Sequence, residues 1–464
     1  MKLHTFKIGG VHPLEYKITA ESPVQKAELP EKAIFPLNQH IGALAKPVVK
    51  KGDQVKVGSL LAEAGGFVSA PIYSSVSGTV VEIGKSIDAT GYLQPSIIVQ
   101  VEGDEWDPGI DRSEQLEKLS DHPEYTAEVI ASRIRMAGVT GMGGASFPTT
   151  VKLSPPPGTK AECIILNGVE CEPYITSDYR LMMEHPDELL VGLDLLMKAA
   201  KVEKGYIGIE ENKPEAIRLL TEKTAGDPRV EIVPLAMKYP QGGEKQLVDA
   251  VINRQIPAPP ALPVHVGAIV QNVGTALAVY QAVMKNKPLI ERLVTVSGKR
   301  ITHPGNFQVR LGTPFSQLIK ACGGLPDGDN KVLAGGPMMG KAVVSLDVPV
   351  CKGTNAVTVL SGSDARRKTP QPCIRCGKCV SACPMGLEPY LLATLSAFKQ
   401  YDRLEAEEVT SCISCGSCQY TCPAHRPILD NILQGKSVVM GKIKARSKAK
   451  KPAAKTTGPS SVIS

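Results

Sequence analysis

From about residue 36 to 103, short apolar runs alternate with turn residues. KPVVKKGDQVKVGSLLAEA is followed by SAPIYSSVSGTVVEIG and PSIIVQVEG, and Gly52-Asp53, Gly58 and Gly78 punctuate the runs. This spacing predicts a small all-β unit. The pattern changes from about 120 to 290. Residues 124–136 read as a helix, 161–166 (AECIIL) as a buried strand, and 187–200 as a second helix. A strand at 206–209, a helix opening at Pro214, a strand at 230–235 and a helix over 244–253 follow. Proline suits the first turn of a helix, where its missing N–H is no loss. Repeated βα units predict a mostly parallel sheet whose carboxyl-end loops are available to a ligand. Residues 292–344 form a further compact unit with a helix at about 314–321 and the loop AGGPMMG. SGSDARRK (361–368) is a polar linker, and 388–408 reads as helical.

The chain has 464 residues, which predicts roughly three domains. With 42% hydrophobic and 21% charged residues it is globular, and with 4% aromatics it lacks a base-stacking or sugar-stacking surface. The longest uncharged apolar stretch, 266–284, carries two Gln, an Asn, a Thr and a Tyr, so no membrane span is expected. The opening MKLHTFKIGG has no export signal, and a cytosolic address favours metal over disulfides for clustered cysteines. The formal charge is +7. Eight of the basic residues and no acidic one lie in 436–464, which leaves 45 basic against 46 acidic elsewhere. A disordered basic tail is expected there, solvated or in contact with anionic lipid. Nucleic-acid binding finds no interleaved aromatics to support it.

Eight of the twelve cysteines carry the strongest signal. They form two quartets, Cys373-x₂-Cys376-x₂-Cys379-x₃-Cys383-Pro384 and Cys412-x₂-Cys415-x₂-Cys418-x₃-Cys422-Pro423. That spacing matches bacterial two-cluster ferredoxins, in which the fourth cysteine of each run serves the other cluster. Cys373, Cys376, Cys379 and Cys422 are thus expected on one [4Fe–4S] cluster, and Cys412, Cys415, Cys418 and Cys383 on a second. Tetrahedral zinc is the alternative, although its sites pair two Cys-x₂-Cys units without a third and fourth cysteine. The other four cysteines (Cys163, Cys171, Cys322, Cys351) read as packing residues.

Four further motifs bear on chemistry. GVTGMGGASFPTTVK (138–152) is glycine-rich, but Ser146 breaks a strict G-x-G-x-x-G and a helix precedes it. It is either a turn or, with Lys152, a phosphate cradle. Asn167-Gly-Val-Glu170-Cys-Glu172-Pro173 follows a strand and suits sugar hydroxyls, or is a solvated loop. Gly242-Gly243-Glu244-Lys245 and Val270-Gln271-Asn272-Val273-Gly274-Thr275 stand at later turns.

In this order, ahead of a two-quartet region, these motifs resemble the NADH-oxidising flavoprotein subunit of complex I. Gly138, Gly141, Gly143, Gly144, Ala145, Phe147, Pro148, Thr149 and Lys152 match its G-x-x-G-x-G-G-A-G-F-P-T-x-x-K loop. Asn167, Glu170, Glu172 and Pro173 match N-A-D-E-S-E-P, with Val169 in place of the aspartate. Gly243-Glu244-Lys245 stands for G-E-E, and V-Q-N-V-G-T for V-N-N-V-E-T. Over about residues 5 to 435 the domain order is more similar still to the C subunit of the Rnf (Rsx) electron transport complex. That resemblance implies a multidomain α/β chain in five parts. Residues 1–110 would be a barrel-sandwich hybrid, similar to lipoyl domains but without the lysine that their hairpin carries between Glu63 and Ala70. A Rossmann-like FMN/NAD(H) domain (111–290), a β-grasp, SLBB-like insert (291–360), a two-[4Fe–4S] ferredoxin module (361–435) and the basic tail (436–464) follow.

The same resemblance implies the cofactors and roles. Non-covalent FMN would lie over the glycine loop, its phosphate held by Gly141, Gly143, Gly144 and Lys152. Asn167, Glu170 and Asn272 would contact its sugar-like chain and ring, and Phe147 and Glu172 the nicotinamide nucleotide. Gly138, Gly243, Glu244 and Thr275 complete the cofactor-binding set, and no residue acts as nucleophile or general base. Lys245, where relatives carry an acid, tolerates a 2′-phosphate and leaves NAD against NADP open. The implied protein is peripheral, on the cytoplasmic face of the bacterial inner membrane. Its partners would be membrane subunits that move Na⁺ or H⁺ and a ferredoxin-like subunit. The competing readings are a diaphorase subunit of a soluble hydrogenase or formate dehydrogenase, and a non-catalytic iron–sulfur carrier.

Overall fold

A computed structural model describes residues 2–449, without the side chains of 448 and 449. Residues up to Lys368 form one compact unit and those from Thr369 a second. The first begins with eight strands: β1 (Val24–Lys26), β2 (Lys32–Pro36), β3 (Lys46–Pro47), β4 (Gln54–Val55), β5 (Leu60–Glu63), β6 (Ile72–Tyr73), β7 (Ser77–Ile87) and β8 (Leu93–Gly103). Helices α1 (Ala127–Met136) and α2 (Thr149–Lys152) follow, then β9 (Cys163–Asn167), α3 (Ser177–Glu184), α4 (Pro186–Ala200), β10 (Lys204–Glu210), α5 (Pro214–Thr224), β11 (Val230–Leu235), α6 (Glu244–Ile252), β12 (Ala268–Asn272) and α7 (Val273–Met284). The unit closes with β13 (Glu291–Ser297), β14 (Gly305–Arg310), α8 (Phe315–Ala321), β15 (Asn330–Ala334), β16 (Lys341–Ala342) and β17 (Ala356–Ser361).

The all-β reading of 36–103 corresponds to two small antiparallel sheets, β2-β8-β7-β4 and β3-β5-β6. Their interior is not their own. Phe35, Leu61, Ile72, Val80 and Ile97 share one apolar cluster with Val294, Val309, Phe315 and Val357 from the far end of the unit. Strand β1 also crosses over, pairing parallel with β14 at the edge of the sheet β1-β14-β13-β17-β15-β16. Two parts that read as separate domains in the sequence therefore hold one core, because each leaves an apolar sheet face that only the other covers.

Between them lies a four-stranded parallel sheet of order β11-β10-β9-β12. Strands β9 and β12 are buried along nearly their whole length and open on apolar runs, as burial on both faces requires. Chain order runs β9, β10, β11 and then back to β12 on the far side of β9. The order reverses between β9 and β12, and Asn167 and Asn272 stand opposite each other in register at that point. Ligands of open α/β sheets bind outside such a reversal. Three elements here escaped the sequence reading. The 266–284 stretch divides into β12 and α7, nearly all of it buried, and α3 precedes α4 with a polar first turn.

The second unit holds α9 (Lys378–Ser381), α10 (Pro389–Ala397), α11 (Tyr401–Ala406), α12 (Ser417–Tyr420) and α13 (Ile428–Ala449). The last corrects the expectation of disorder from 436. Ile428, Ile432 and Val439 recur at helical spacing and bury against Leu392, Leu395 and Leu404. Ion pairs from Lys442 to Asp402 and from Arg446 to Glu405 fasten the next turns. The expected tail beyond 449 lies outside the described residues. No helix among them is long and apolar enough to cross a membrane.

Helices α4 and α7 meet at Gly192, where an added Cβ would lie 2.1 Å from the carbonyl oxygen of Ala276. Backbone cannot yield as a side-chain tip can, so overpacking outweighs the better helix propensity of alanine. Gly192→Ala is expected to cost about 2 kcal/mol in denaturant unfolding of the first unit. Unchanged stability would show that the helices move apart freely.

Candidate cofactor crevice and thiol cavities

The glycine loop lies across the β9/β12 reversal. Helix α1 delivers it, and Gly141 N–H donates to Phe147 O (2.8 Å) to close it into a turn. Ser146, the departure from the glycine pattern, adopts φ +53 and is buried. The left-handed conformation persists, although a non-glycine residue occupies it at a cost. Gly143 sits so close to Asn272 that a Cβ would fall 2.8 Å from Asn272 Nδ2, whereas Gly144 has nothing within 4 Å of that position. One glycine packs and the next stays open, as a cradle for a ligand requires.

The loop is held from beneath. Met142 N donates to Thr275 Oγ1 (2.9 Å), and Arg292 donates to Met142 O (2.9 Å) and Thr354 O (2.9 Å). Burial pushes the Arg292 guanidinium down to about 10, with Asp178 opposing. Lys352, fully buried, donates to Pro71 O (2.6 Å) and Gly138 O (2.7 Å), and burial lowers its ammonium to about 7. Arg292 and Lys352 escaped the sequence reading. Both are single basic residues far along the chain from the motif, and only the packing of three segments brings them to it.

Several expected binding side chains are already engaged. Lys152 donates to Glu244 Oε1 (2.6 Å) and Val270 O (3.0 Å), so its charge is neutralised within the expected set. Glu170 accepts from Asp178 N (2.7 Å), Tyr179 N (3.2 Å) and Ser177 Oγ (3.3 Å), capping α3 with its carboxylate. Glu172 accepts from Met338 N (3.0 Å) and Met339 N (2.7 Å), tying the loop to AGGPMMG. Burial raises its carboxyl to about 7, against the pull of the two amides. Asn167 donates to Gly242 O (2.8 Å) and accepts from Val169 N (3.2 Å). Gly243 is the N-cap of α6. Lys245 is turned to Pro257 O (2.8 Å). Phe147 lies on the loop itself and is half-buried.

Asp178, in the first turn of α3, is the acid that sequence reasoning missed. It is half-buried and accepts from Asn272 Nδ2 (2.7 Å). Burial and the neighbouring Glu170 push its carboxyl well above the usual range. A flavin nucleotide fits what is present: an open glycine and the amide end of α7.

In the second unit the structure gathers the cysteines in crossed sets. Cys373, Cys376, Cys379 and Cys422 line one cavity, with Ile374, Tyr390 and Arg426. Cys383, Cys412, Cys415 and Cys418 line another, with Leu392 and Ile432. Both loops wind alike: Arg375 and Gly377 repeat at Ser414 and Gly416, all with left-handed φ between +54 and +81. Eight thiols ringing two cavities fit a pair of four-iron cubes. Cys373 and Cys376 are exposed, while Cys415 and Cys418 are buried. Burial raises the Cys415 and Cys418 thiols, and the Arg375 amide and Arg426 lower that of Cys373.

Comparison with known proteins agrees with this layout. Residues 4–104 match the RnfC barrel sandwich hybrid domain, 134–281 the Nuo51 FMN-binding domain, 293–342 the SLBB domain and 365–423 a 4Fe-4S dicluster domain. A solved NAD⁺-reducing [NiFe]-hydrogenase in the air-oxidized state shares the fold at 21% identity, with a TM-score of 0.50 over 69% of this chain and 67% of that one. Among curated relatives, the C subunit of the Na(+)-translocating ferredoxin:NAD(+) oxidoreductase complex of Acetobacterium woodii is 41% identical over 95% of this chain and 98% of its own. The C subunit of the ion-translocating oxidoreductase complex of Rhodobacter capsulatus is 41% identical over 84% of this chain and 75% of its own. The C subunit of the proton-translocating ferredoxin:NAD(+) oxidoreductase complex of Clostridium ljungdahlii is 44% identical over 86% of both. With that identity over most of its length, the chain belongs to the RnfC family, the C subunits of Rnf-type ion-translocating oxidoreductase complexes.

Proposed function

We propose that this protein exchanges electrons between NAD(H) and ferredoxin-type carriers as the FMN and iron–sulfur subunit of a membrane-associated complex. Partner subunits couple that exchange to Na⁺ or H⁺ movement. When bound, FMN converts a hydride's electron pair into single electrons and the two clusters carry them onward. The protein's own part is placement. Gly143 and Gly144 present backbone amides to the flavin phosphate and Gly144 leaves it open space, Gly141 shapes the turn by giving its own amide to Phe147 O, and the amide end of α7, capped by Asn272, faces the same region. Lys152 serves the phosphate by exchanging its bond to Glu244. Glu170 contributes by fixing α3, and Glu172 by holding the 336–339 loop over the nicotinamide side. With no span in the described residues, the protein attaches peripherally, on the cytoplasmic face, through its partners.

One observation carries the electron-transfer part: each quartet's fourth cysteine lines the other quartet's cavity. The crossed sets are testable by iron content. Replacing Cys373 and Cys422 together by serine is expected to leave about four of about eight irons, because both serve one cluster. Replacing Cys373 and Cys383 together is expected to remove nearly all iron. Equal losses in the two double variants would overturn the crossing.

The flavin part is tested by anaerobic reconstitution, with bound FMN and NADH-to-ferricyanide activity measured together. The wild-type protein is expected to bind FMN and reduce ferricyanide. Gly143→Asp, which drives a side chain into Asn272, is expected to lose both and keep its clusters. A folded, cluster-loaded wild-type protein without flavin or activity would refute the enzyme reading.

A further inference from the structure

Most polar side chains at the carboxyl ends of β9 and β12 are consumed by the protein itself, and Gln271, without a partner among the described residues, is enclosed in the interior. Asn167 spends its amide on Gly242 O and its oxygen on Val169 N. Asn272 spends its oxygen on Gly274 N and its amide on Asp178. Glu170 caps α3, and Glu172 holds Met338 and Met339. Val169 is fully buried in an apolar cluster and offers nothing polar from its side chain. Asp178 differs. One oxygen is fixed by Asn272, and among the described residues no hydrogen bond reaches the other, Oδ1. The residue keeps part of its surface open, within reach of the asparagine that Gly143 packs against. An unpartnered carboxylate oxygen costs stability unless water or a ligand hydroxyl supplies the donor.

We infer that Asp178 is a cofactor-binding residue whose carboxylate accepts hydrogen bonds from the polyhydroxyl chain of the bound flavin. This rests on the flavin reading above and adds the residue that anchors the chain. The ligand class follows from the chemistry: a carboxylate repels phosphate and favours hydroxyl donors. Asn272, fixed by its bonds to Gly274 and Asp178, orients the carboxylate, so a short shift of Gly143 would be felt at the flavin chain.

The charged groups facing Asp178 are Glu170 from the preceding loop, Arg292 from β13 and Lys213 ahead of α5. Burial and Glu170 favour its neutral form, and Arg292 and Lys213 oppose them. Hydroxyl donors favour the ionised form, so flavin binding should tighten as pH rises through the neutral range. Flavin fluorescence quenching on the cluster-loaded protein measures this. Riboflavin is the probe, since it has no phosphate of its own to titrate. Wild-type affinity for riboflavin is expected to rise several-fold from pH 6 to 8.5. Asp178→Asn keeps the shape and the Asn272 contact, and should bind about tenfold more weakly at pH 8 with the pH dependence lost. A flat wild-type profile overturns the assignment whether or not the variant folds, and so does a folded variant with wild-type affinity and slope. No flavin binding at any pH, with FMN or riboflavin, defeats the underlying flavin reading instead.

Discussion

The side chain of Asn272 holds the crevice together. It ends β12, starts α7 by accepting from Gly274 N, donates to Asp178 on α3, and leaves room for Gly143 only because that residue has no side chain. A strand, two helices and the glycine loop thus meet on one amide group. Its register partner Asn167 holds the turn before α6 in the same manner, through Gly242 O. A buried amide makes several directed hydrogen bonds, and leaving any one unmade costs more than the bond's net gain. The site therefore resists piecemeal change.

Charge is arranged around that frame to hold backbone. Lys17 donates to the carbonyls of Glu170, Glu172 and Ile175, and Lys213 to that of Val169. Arg292 and Lys352 do the same for Met142 and Gly138. Four cations grip the carbonyls of two loops and fix the course of each. Burial lowers the pKa of Lys17, Arg292 and Lys352, and carbonyl oxygens replace part of the lost water.

The thiol cavities rest on a different constraint. Each Cys-x₂-Cys-x₂-Cys run bends through two left-handed residues, and α10 and α11, which follow the first quartet, pack against α13, which follows the second. That helix shows how a local reading fails. Eight basic residues without an acid look like a solvated tail, yet Ile432, Gly435 and Val439 fall on one face, and Gly435 lets α13 approach Leu404 and Ser396. Periodicity was present beneath the charge, and the partner surface on α10 and α11 makes it a helix.

How far the chain could be read without its structure follows from the range of each interaction. The cysteine spacing, the βα alternation, the glycine loop and the turn asparagines are local patterns, since ligand spacing and strand or helix period act over a few residues. They pointed to the cysteines that line the two cavities and to the parallel sheet. Only the tertiary structure decided which acids remain free for a ligand. Glu170 and Glu172 match the family motif, yet their carboxylates are bound to backbone amides of α3 and of the 336–339 loop. Asp178, unremarkable in sequence, keeps an open oxygen. The shared core between the first strands and 294–359, and the reach of Arg292 and Lys352 to the glycine loop, are likewise tertiary facts. They join residues more than 100 apart, and no local pattern records which apolar face or which carbonyl a distant segment will find.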